Sequence, residues 1–510
     1  MCPILMGQGT DKVVKTTEKR ITIDPLTRLE GHGKIEIFLD DDGNVANAYW
    51  QVPELRGFEK FCIGRSVDEL NKLTSRLCGV CPGAHHICST KALDHVFGVE
   101  PPETAKKLRE LFYMAHYVHS HIAHFYALAA ADFVLGPGAP KAERNILGVV
   151  GAVGLEIGGE VIKNRSYAQK IQEMLGGKAT HPVIGIPGGV AKSINEDERT
   201  KIEAMAKSCV EFGKFTNQLF ADVVLKNQDY LNLIVNKDVY YHETYYLGTV
   251  DKNGKNNFYD GDQVMISPTG EEVARYREGG RDYLKYIAEH TLPWSYEKFC
   301  YFKPVGWKGL VDGKDSGIYR ATPLSRLNVT KGFTTPLAQA EFEKYHGTFR
   351  DLGVKGPVHF TMATHWARVI EMLYAAERLL ELSQDPEITG KHVRNPVKEA
   401  GEGVGILEAP RGTLVHHYVA DKNGITTDVN LVVGTTNNNG PMNLSVRKAA
   451  TALIKNWNVS DGLLNAVEMA YRAYDPCNSC ATHTLPGQMP MDAVIRRADG
   501  SVYKTVSRNY

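Results

Sequence analysis

The sequence has no excess charge of either sign, because 59 lysine and arginine residues balance 59 aspartate and glutamate residues in a chain of 510. Nothing in this balance favours binding to nucleic acid or to an anionic membrane surface. No run approaches the roughly 18 consecutive apolar residues that a membrane-spanning helix needs. The first residues also lack the basic segment and apolar stretch of a secretory signal. These absences predict a cytoplasmic protein without a direct membrane span.

Cysteine is scarce as well, with nine residues in the chain, an odd number too small for a disulfide scaffold. Four of the nine form two Cys-x-x-Cys pairs near opposite ends of the chain, Cys78/Cys81 and Cys477/Cys480. Thiolates select zinc, iron or nickel over magnesium or calcium. On spacing alone, a structural zinc or a rubredoxin-like iron site fits both pairs. Zinc pairs usually lie close together in sequence, however, and these do not.

Hydrophobic periodicity predicts a mainly α-helical body with smaller β elements, an α+β class. Helices are expected at 103–135, 139–163, 193–227 (from a capping box at Ser193), 336–346, 361–384, 443–457 and 461–473. We expect one domain over 1–483, made of a β-rich part at 20–65, a helical core at 66–235 and 336–475, and a mixed insert at 238–335. Within that core, 404–435 returns to β structure. Residues 484–510 form a C-terminal extension with one more hairpin.

The residues around the cysteine pairs favour one metal centre over the others. RLCGVCPGAH at 76–85 and DPCNSCATH at 475–483 resemble the two signature motifs of the large subunit of nickel-iron hydrogenases. Four more segments resemble further motifs of that family in the family's order: DPLTRLEGH at 24–32, RGFEK at 56–60, EAPRG at 408–412 and VVGTT at 432–436. The resemblance therefore covers nearly the whole chain. It departs at Leu77, where Ile is usual, and at Asn437, where Trp is usual.

The resemblance implies the hydrogenase large-subunit fold, a long-helix bundle with small sheets near both chain ends. It also implies a nickel held by all four thiolates, with Cys81 and Cys480 bridging to an iron that carries cyanide and carbon monoxide. The expected reaction is reversible heterolytic cleavage of dihydrogen, with electrons passed to an iron–sulfur small subunit. The alternative is a non-catalytic scaffold of an electron-transfer complex with a structural zinc or iron. The presence of all four cysteines argues against this alternative.

The resemblance assigns roles to residues around the metals. Cys477 and then Glu30 are expected to accept the proton. Without the motif, a salt bridge from Glu30 to Arg28 or to another surface cation is the simpler interpretation of that carboxylate. Arg411 is expected to place its guanidinium above the metals, with Asp475 as its partner. The remaining cofactor-binding residues are expected to be Thr435, Pro410 and His85, the last as a hydrogen-bond partner rather than a ligand.

The resemblance further implies a second, redox-inert ion, magnesium or otherwise iron, near Glu59, His483 and the backbone carbonyl of Leu431. In the family, a maturation protease removes a tail such as 484–510 after nickel-insertion proteins have acted, and the second cysteine pair then folds inward. The histidines at 119, 121 and 124 do not share one helix face, so we predict buried polar groups rather than ligands.

Partner subunits are expected because the sequence has no further cysteine cluster for iron–sulfur centres. Electrons would leave through an iron–sulfur small subunit, from which they would reach further acceptor subunits. Enzymes coupled to heterodisulfide reductase or to electron bifurcation resemble this chain most. Flavin/NAD-linked and deazaflavin-linked types are the alternatives.

Overall fold

The computed structural model describes residues 19–482, 491–499 and 501–508. Helices dominate this part of the chain and small sheets surround them, which confirms the predicted α+β class. The α-helices, α1 to α16 in chain order, are Phe58–Cys62, Leu70–Leu73, Pro82–Val96, Glu103–Ile122, Ala130–Val134, Ile146–Val153, Leu155–Gly176, Glu196–Phe220, Gln228–Ile234, Pro323–Val329, Pro336–Asp351, Ala363–Gln384, Gly434–Asn437, Asn439–Leu453, Asp461–Arg472 and Asn478–Ala481. Two π-helical segments, Ala123–Ala129 and Ala221–Leu225, extend α4 and α8. Short 3-10 helices are Val67–Glu69, Thr74–Leu77, Arg281–Lys285 and Pro386–Thr389.

The strands form several small sheets, most of them antiparallel. In chain order, β1 to β16 are Arg20–Ile23, Lys34–Leu39, Val45–Gln51, Gly185–Ile186, Gly189–Val190, Tyr245–Val250, Asp262–Ile266, Glu272–Tyr276, Ile287–Thr291, Lys298–Phe302, Tyr319–Arg320, Glu402–Ala409, Gly412–Ala420, Thr426–Val432, Met491–Arg496 and Val502–Arg508. The pairings are β1-β2-β3, β4-β5, β11-β6-β7-β8, β9-β10, β12-β13-β14 and β15-β16, with only β11 and β6 parallel among the described strands. The mixed insert thus contributes strands, as predicted, and β15-β16 is the predicted tail hairpin.

The centre of the fold is a bundle of long helices. Helix α12 packs against both α4 and α8, and α4 also packs against α7. Nearly every residue of α12 is buried, so this helix is enclosed by protein on all faces rather than along one stripe. Among the described helices none is both long and apolar enough to cross a membrane.

Two predicted helix boundaries are wrong for local reasons. The helix expected at 139–163 consists of two helices, α6 and α7. Asn145 caps the start of α6 by accepting hydrogen bonds from the backbone N–H groups of Leu147 and Gly148, so α6 begins at Ile146. Gly154, with a φ of 93°, then separates α6 from α7. The capping box of α8 uses Asn195 and not Ser193: the Asn195 side chain accepts from the Glu198 N–H at 2.8 Å, and Glu198 caps in return.

Three local structures bring distant parts of the sequence to one place. Cys81 immediately precedes α3, and Cys477 immediately precedes α16. The hairpin between β12 and β13 pairs Glu408 with Thr413, which places Pro410 and Arg411 close to its turn. An isolated parallel bridge joins the backbone of Glu30 to that of Cys477.

Candidate metal centre and active site

Four buried thiols meet where these segments converge. The Sγ atoms of Cys78, Cys81, Cys477 and Cys480 all lie within 4.8 Å of one another. The shortest separations are 2.7 Å between Cys477 and Cys480 and 3.1 Å between Cys78 and Cys477. Cys81 and Cys480 are 3.4 Å apart. The structure thus brings the two sequence pairs together as a single tetrathiol cluster.

The backbone holds each pair in a tight loop. Cys78 Sγ accepts hydrogen bonds from the N–H groups of Val80 and Cys81 at 3.2 and 3.0 Å. The Cys477 N–H donates to Thr435 Oγ1 at 2.9 Å, which ties the second pair to α13. Backbone groups within the first loop and the Thr435 hydroxyl thus help to position the sulphurs.

The thiols cannot all ionise by themselves. Burial opposes ionisation of Cys78, but hydrogen bonds from the other three thiols lower its pKa well below the usual range. Burial raises the pKa of Cys477 and of Cys480 well above that range. Four thiolates at these distances need a cation, because several buried like charges would otherwise repel each other. The donor set therefore fits a soft metal.

A small cavity of about 10 Å³ lies against three of the four cysteines, Cys81, Cys477 and Cys480. Its apolar walls include Ala84, Ala409 and Leu414, and other lining residues come from the predicted site. These predicted residues are His85, Pro410, Arg411 and Thr435, and Val433 and Gly434 also line the cavity. The space is thus mostly apolar, with a guanidinium, a hydroxyl and an imidazole at its edge.

Arg411 is buried and forms an ion pair with Asp475, with 3.1 Å between Nη2 and Oδ2. Its Nη1 donates to Ser120 Oγ at 3.3 Å, whereas Nε has no hydrogen-bond partner among the described residues. Burial raises the pKa of Asp475 to about 6, although the Arg411 charge opposes this. Arg368, which sequence reasoning missed, is buried nearby and donates to the Ala473 carbonyl at 2.9 Å, at the start of the loop that leads to Cys477.

Glu30 contacts the thiol cluster directly. Its Oε2 accepts a hydrogen bond from Cys477 Sγ at 3.0 Å and another from the Ser479 N–H at 3.1 Å. Burial raises the pKa of the carboxyl, and the charge of Cys78 acts in the same direction. The alternative salt bridge to Arg28 does not form, since Arg28 pairs with Asp132 at 2.6 Å instead.

Of the three residues predicted to hold a second ion, the structure describes Glu59 and Leu431. Glu59 accepts hydrogen bonds from Lys298 Nζ at 3.2 Å and from the backbone N–H of Leu431 at 2.8 Å. The contact with Leu431 thus uses its N–H, whereas the expectation concerned its carbonyl. Lys298 could not be anticipated, because 239 residues separate it from Glu59. His483 lies outside the described residues.

The histidines behave as polar groups of the interior. His85 Nε2 lies 3.4 Å from Cys480 Sγ. His119, His121 and His124 are buried, as expected for their spacing. His121 pairs with Glu371 at 3.2 Å, and His124 Nε2 donates to the Arg472 carbonyl at 2.9 Å.

The thiol cluster is assembled in a chain that still includes the hairpin at 491–508. Sequence reasoning expected the second cysteine pair to fold inward only after removal of the tail. The order of closure and tail removal stays a prediction.

A buried tetrathiol site at the junction of both chain ends, inside a long-helix bundle, defines a metalloprotein with a redox or catalytic centre. Comparison with known proteins is more specific. The family model described as nickel-dependent hydrogenase matches residues 56–145 and 233–483, and a model described as HoxL-like matches 20–55. The chain therefore belongs to the nickel-dependent hydrogenase family.

Similar proteins agree with this assignment. An iron-sulfur subunit of the F420-non-reducing hydrogenase of Archaeoglobus profundus is 53% identical over 96% of this chain and 100% of its own length. The beta subunit of the NAD-reducing hydrogenase HoxS of Cupriavidus necator is 37% identical over 94% of this chain and 98% of its own. The crystal structure of an NAD+-reducing [NiFe]-hydrogenase in the H2-reduced state has a TM-score of 0.84 and 36% identity, covering 91% of this chain and 99% of that one.

These relatives confirm the predicted fold and function. The chain is the catalytic subunit of a nickel-iron hydrogenase, an oxidoreductase that acts on dihydrogen, and the described cluster is its four-cysteine metal site. These relatives are named as subunits of hydrogenases. The alternative of a non-catalytic scaffold has no support among them.

Proposed function

We propose that Cys78, Cys81, Cys477 and Cys480 hold a nickel ion, and that Cys81 and Cys480 also bind an iron carrying cyanide and carbon monoxide. The observation that carries this proposal is the cavity beside the cluster, which is lined by Cys81 and Cys480. Its apolar walls suit small diatomic ligands. When bound, such a centre supplies the Lewis acidity and electron storage for heterolytic cleavage of dihydrogen.

The groups at the edge of this cavity suit those ligands. Arg411 has an unpartnered Nε, and Thr435 carries a hydroxyl, so each offers a hydrogen-bond donor to an anionic diatomic. Pro410 gives the wall an apolar surface without a backbone N–H. Asp475 holds the Arg411 guanidinium in place, and His85 directs an imidazole nitrogen at Cys480 Sγ.

The proton is proposed to leave through Cys477 and Glu30. A proton held on Cys477 Sγ faces Glu30 Oε2 at 3.0 Å, within the reach that general acid–base transfer requires. Burial raises the pKa of the Glu30 carboxyl, so this group holds a proton more readily than an exposed carboxylate does. Glu30 can then turn away from the cluster and pass the proton outward.

A magnesium or iron ion is proposed near Glu59, Leu431 and His483. Support comes from the charge around Glu59, a carboxylate with raised pKa because of burial, beside a second carboxylate, Glu289. The Lys298 ammonium balances both carboxylates, at 3.2 and 3.0 Å. A divalent ion would have to displace that ammonium or share the two acids with it.

The partner that takes the electrons is proposed to be an iron–sulfur small subunit. The segment 146–162, which we call the α6–α7 arm, exposes apolar side chains at Leu147 (79%), Leu155 (83%) and Ile162 (72%). Exposed apolar groups this close in sequence are typical of a protein interface. Asn145, which immediately precedes the arm, lines a cavity together with Arg28 of the loop that leads to Glu30. We propose that the small subunit docks on this arm.

The terminal electron acceptor is proposed by similarity. The relative that is 53% identical is named F420-non-reducing, which favours an acceptor other than a deazaflavin. The NAD-reducing relative is 37% identical, so nicotinamide is the second candidate. Coupling to heterodisulfide reductase remains the prediction made from the sequence. We also retain as proposals one catalytic domain over 1–483, a cytoplasmic location, and removal of 484–510 by a maturation protease.

Anaerobic purification of the native complex tests these proposals. The co-purifying subunits should include one with iron–sulfur cysteine motifs, and dihydrogen should reduce a viologen dye but not F420. Intact-mass measurement should give a chain that ends near His483. Reduction of F420 would contradict the acceptor assignment, and a mass that includes 484–510 in active enzyme would contradict cleavage.

A further inference from the structure

A connected row of polar side chains runs from the thiol cluster into the core. It begins where His85 Nε2 approaches Cys480 Sγ. His85 Nδ1 lies 3.1 Å from His416 Nε2. His416 Nδ1 lies 2.5 Å from the Tyr418 hydroxyl, which in turn lies 2.8 Å from Ser89 Oγ.

We propose that His416, Tyr418 and Ser89 are positioning residues that fix the His85 Nε2–H toward Cys480 Sγ and so tune this sulphur as a metal ligand. The inference rests on the proposed function, in which Cys480 binds both metals. It adds residues that no sequence motif indicated.

Two rigid elements carry the row. His85 and Ser89 lie on α3, four residues apart and thus on one helix face. His416 and Tyr418 are two residues apart on β13 and therefore point to the same side of that strand. Helix α3 packs directly against β12 and β13. Each imidazole thus faces its partner across a packed interface that leaves little room for reorientation.

The hydrogen-bonding capacity of each group determines which atom donates at each contact of the row. A metal-bound thiolate has lost its proton and can only accept a hydrogen bond. A neutral imidazole has one N–H and one acceptor nitrogen. If His85 Nε2 donates to Cys480, His85 Nδ1 must accept, so His416 Nε2 must donate to it. His416 Nδ1 then accepts from the Tyr418 hydroxyl.

The Tyr418 hydroxyl decides the tautomer of both imidazoles. Its single proton goes to His416 Nδ1, and its oxygen accepts from the Ser89 hydroxyl. Without this hydroxyl, His416 can carry its proton on Nδ1. His85 could then turn its lone pair toward the sulphur and the donor would be lost. Outer partners of metal ligands commonly act in this way.

Burial supports a static role rather than a route for protons to solvent. His85, Ser89, His416 and Tyr418 are all 0% exposed. The hydroxyl of Tyr418 also has its pKa raised well above the usual range by burial, so it stays protonated and remains a donor. The row therefore ends inside the core.

Infrared spectroscopy of the assembled enzyme tests the inference without relying on activity. A hydrogen bond to a bridging sulphur withdraws electron density from the iron. Tyr418→Phe and Ser89→Ala should thus shift the carbonyl and cyanide bands to lower wavenumber at unchanged nickel content, with the larger shift for Tyr418→Phe. His416→Leu combined with Tyr418→Phe should shift no further than the larger single change, because both act through one row.

Tyr246→Phe is the matched control. Tyr246 is also fully buried and its hydroxyl lies 2.6 Å from the Nδ1 of another histidine, His359, in a separate network. Its bands should coincide with those of the unaltered enzyme. Should Tyr418→Phe fail to load metal, Ser89→Ala decides by the same shift.

The possible outcomes distinguish failure of the positioning role from failure of the proposed cofactor. Cyanide and carbonyl bands that are identical in all variants overturn the positioning role while leaving the proposed function intact. Absence of such bands in the unaltered, metal-loaded enzyme overturns the proposed cofactor itself, and the positioning inference with it.

Discussion

Replacing Glu30 by glutamine isolates the proton step, because the amide preserves shape but cannot take up a proton. The glutamine oxygen can still accept the hydrogen bond that Ser479 N–H now donates at 3.1 Å to the carboxylate. The loop around Cys477 should therefore keep its position, and the tetrathiol site its metal. What disappears is the only predicted proton acceptor in contact with Cys477 Sγ, 3.0 Å away.

The expected loss follows from that contact. A general acid–base group at hydrogen-bond distance contributes about 10² to 10⁴-fold to a rate. This corresponds to about 3 to 5 kcal/mol of activation free energy. We expect Glu30→Gln to lower dihydrogen uptake by that factor, and Glu30→Asp, whose carboxylate is one methylene further away, to lie in between. Exchange of hydrogen isotopes between gas and the cluster should fall less, because it needs no complete exit path.

Dihydrogen-dependent reduction of a viologen dye measures the effect, with nickel content determined on the same sample. Glu54→Gln provides the control: Glu54 follows the same N-terminal sheet but pairs with the exposed His32 at 2.6 Å. Its uptake should stay within about twofold of the unaltered enzyme, as for most surface changes. Uptake by fully loaded Glu30→Gln that stays within about threefold would refute Glu30 as the relay, since a lost general base costs more.

Three further predictions concern stability and assembly. Arg326→Met should lower the free energy of unfolding by about 3 to 5 kcal/mol, because it leaves the buried carboxylates of Glu371 and Glu408 without their shared guanidinium. Thermal denaturation measures this loss, and a loss below about 1 kcal/mol would contradict the prediction. Glu297 is fully buried, neither carboxylate oxygen has a hydrogen-bond partner within the described residues, and burial raises its pKa well above 4.5. Because the pKa of Glu297 is higher in the folded than in the unfolded state, this carboxyl lowers the stability of the fold as pH rises above about 4.5. Glu297→Gln removes this cost, so its gain in unfolding temperature should grow above about pH 4.5. A gain independent of pH would contradict this. Leu155→Glu on the α6–α7 arm should weaken co-purification of the small subunit while leaving the isolated chain's unfolding temperature unchanged, and undiminished co-purification would remove the arm from the interface.

The sequence predicted the identity of the site better than its surroundings. Both cysteine pairs, Glu30 and Arg411 lie in short contiguous motifs whose resemblance to the hydrogenase family assigned them their metal and proton chemistry. The helix bundle and the hairpins followed from periodicity and from turn residues such as Gly43, which adopts a φ of 76° between β2 and β3. These features depend on neighbours in sequence.

Features that depend on distant neighbours were missed. Lys298 beside Glu59 and Arg368 beside the Cys477 loop come from parts of the chain that no local pattern connects. His416 and Tyr418 carried a faint signal, since their spacing of two on a predicted strand places them on one face. Nothing in the sequence indicated that this face would meet α3 at His85.

Infrared absorption in the cyanide and carbonyl region is the most direct test of the central claim, that the four thiols hold a nickel-iron centre that cleaves dihydrogen. If the four thiols hold this centre, the anaerobically purified complex should show these bands, and their positions should change when dihydrogen replaces argon. A complex whose four-cysteine site is filled with zinc, and which shows no such bands under either gas, would contradict it.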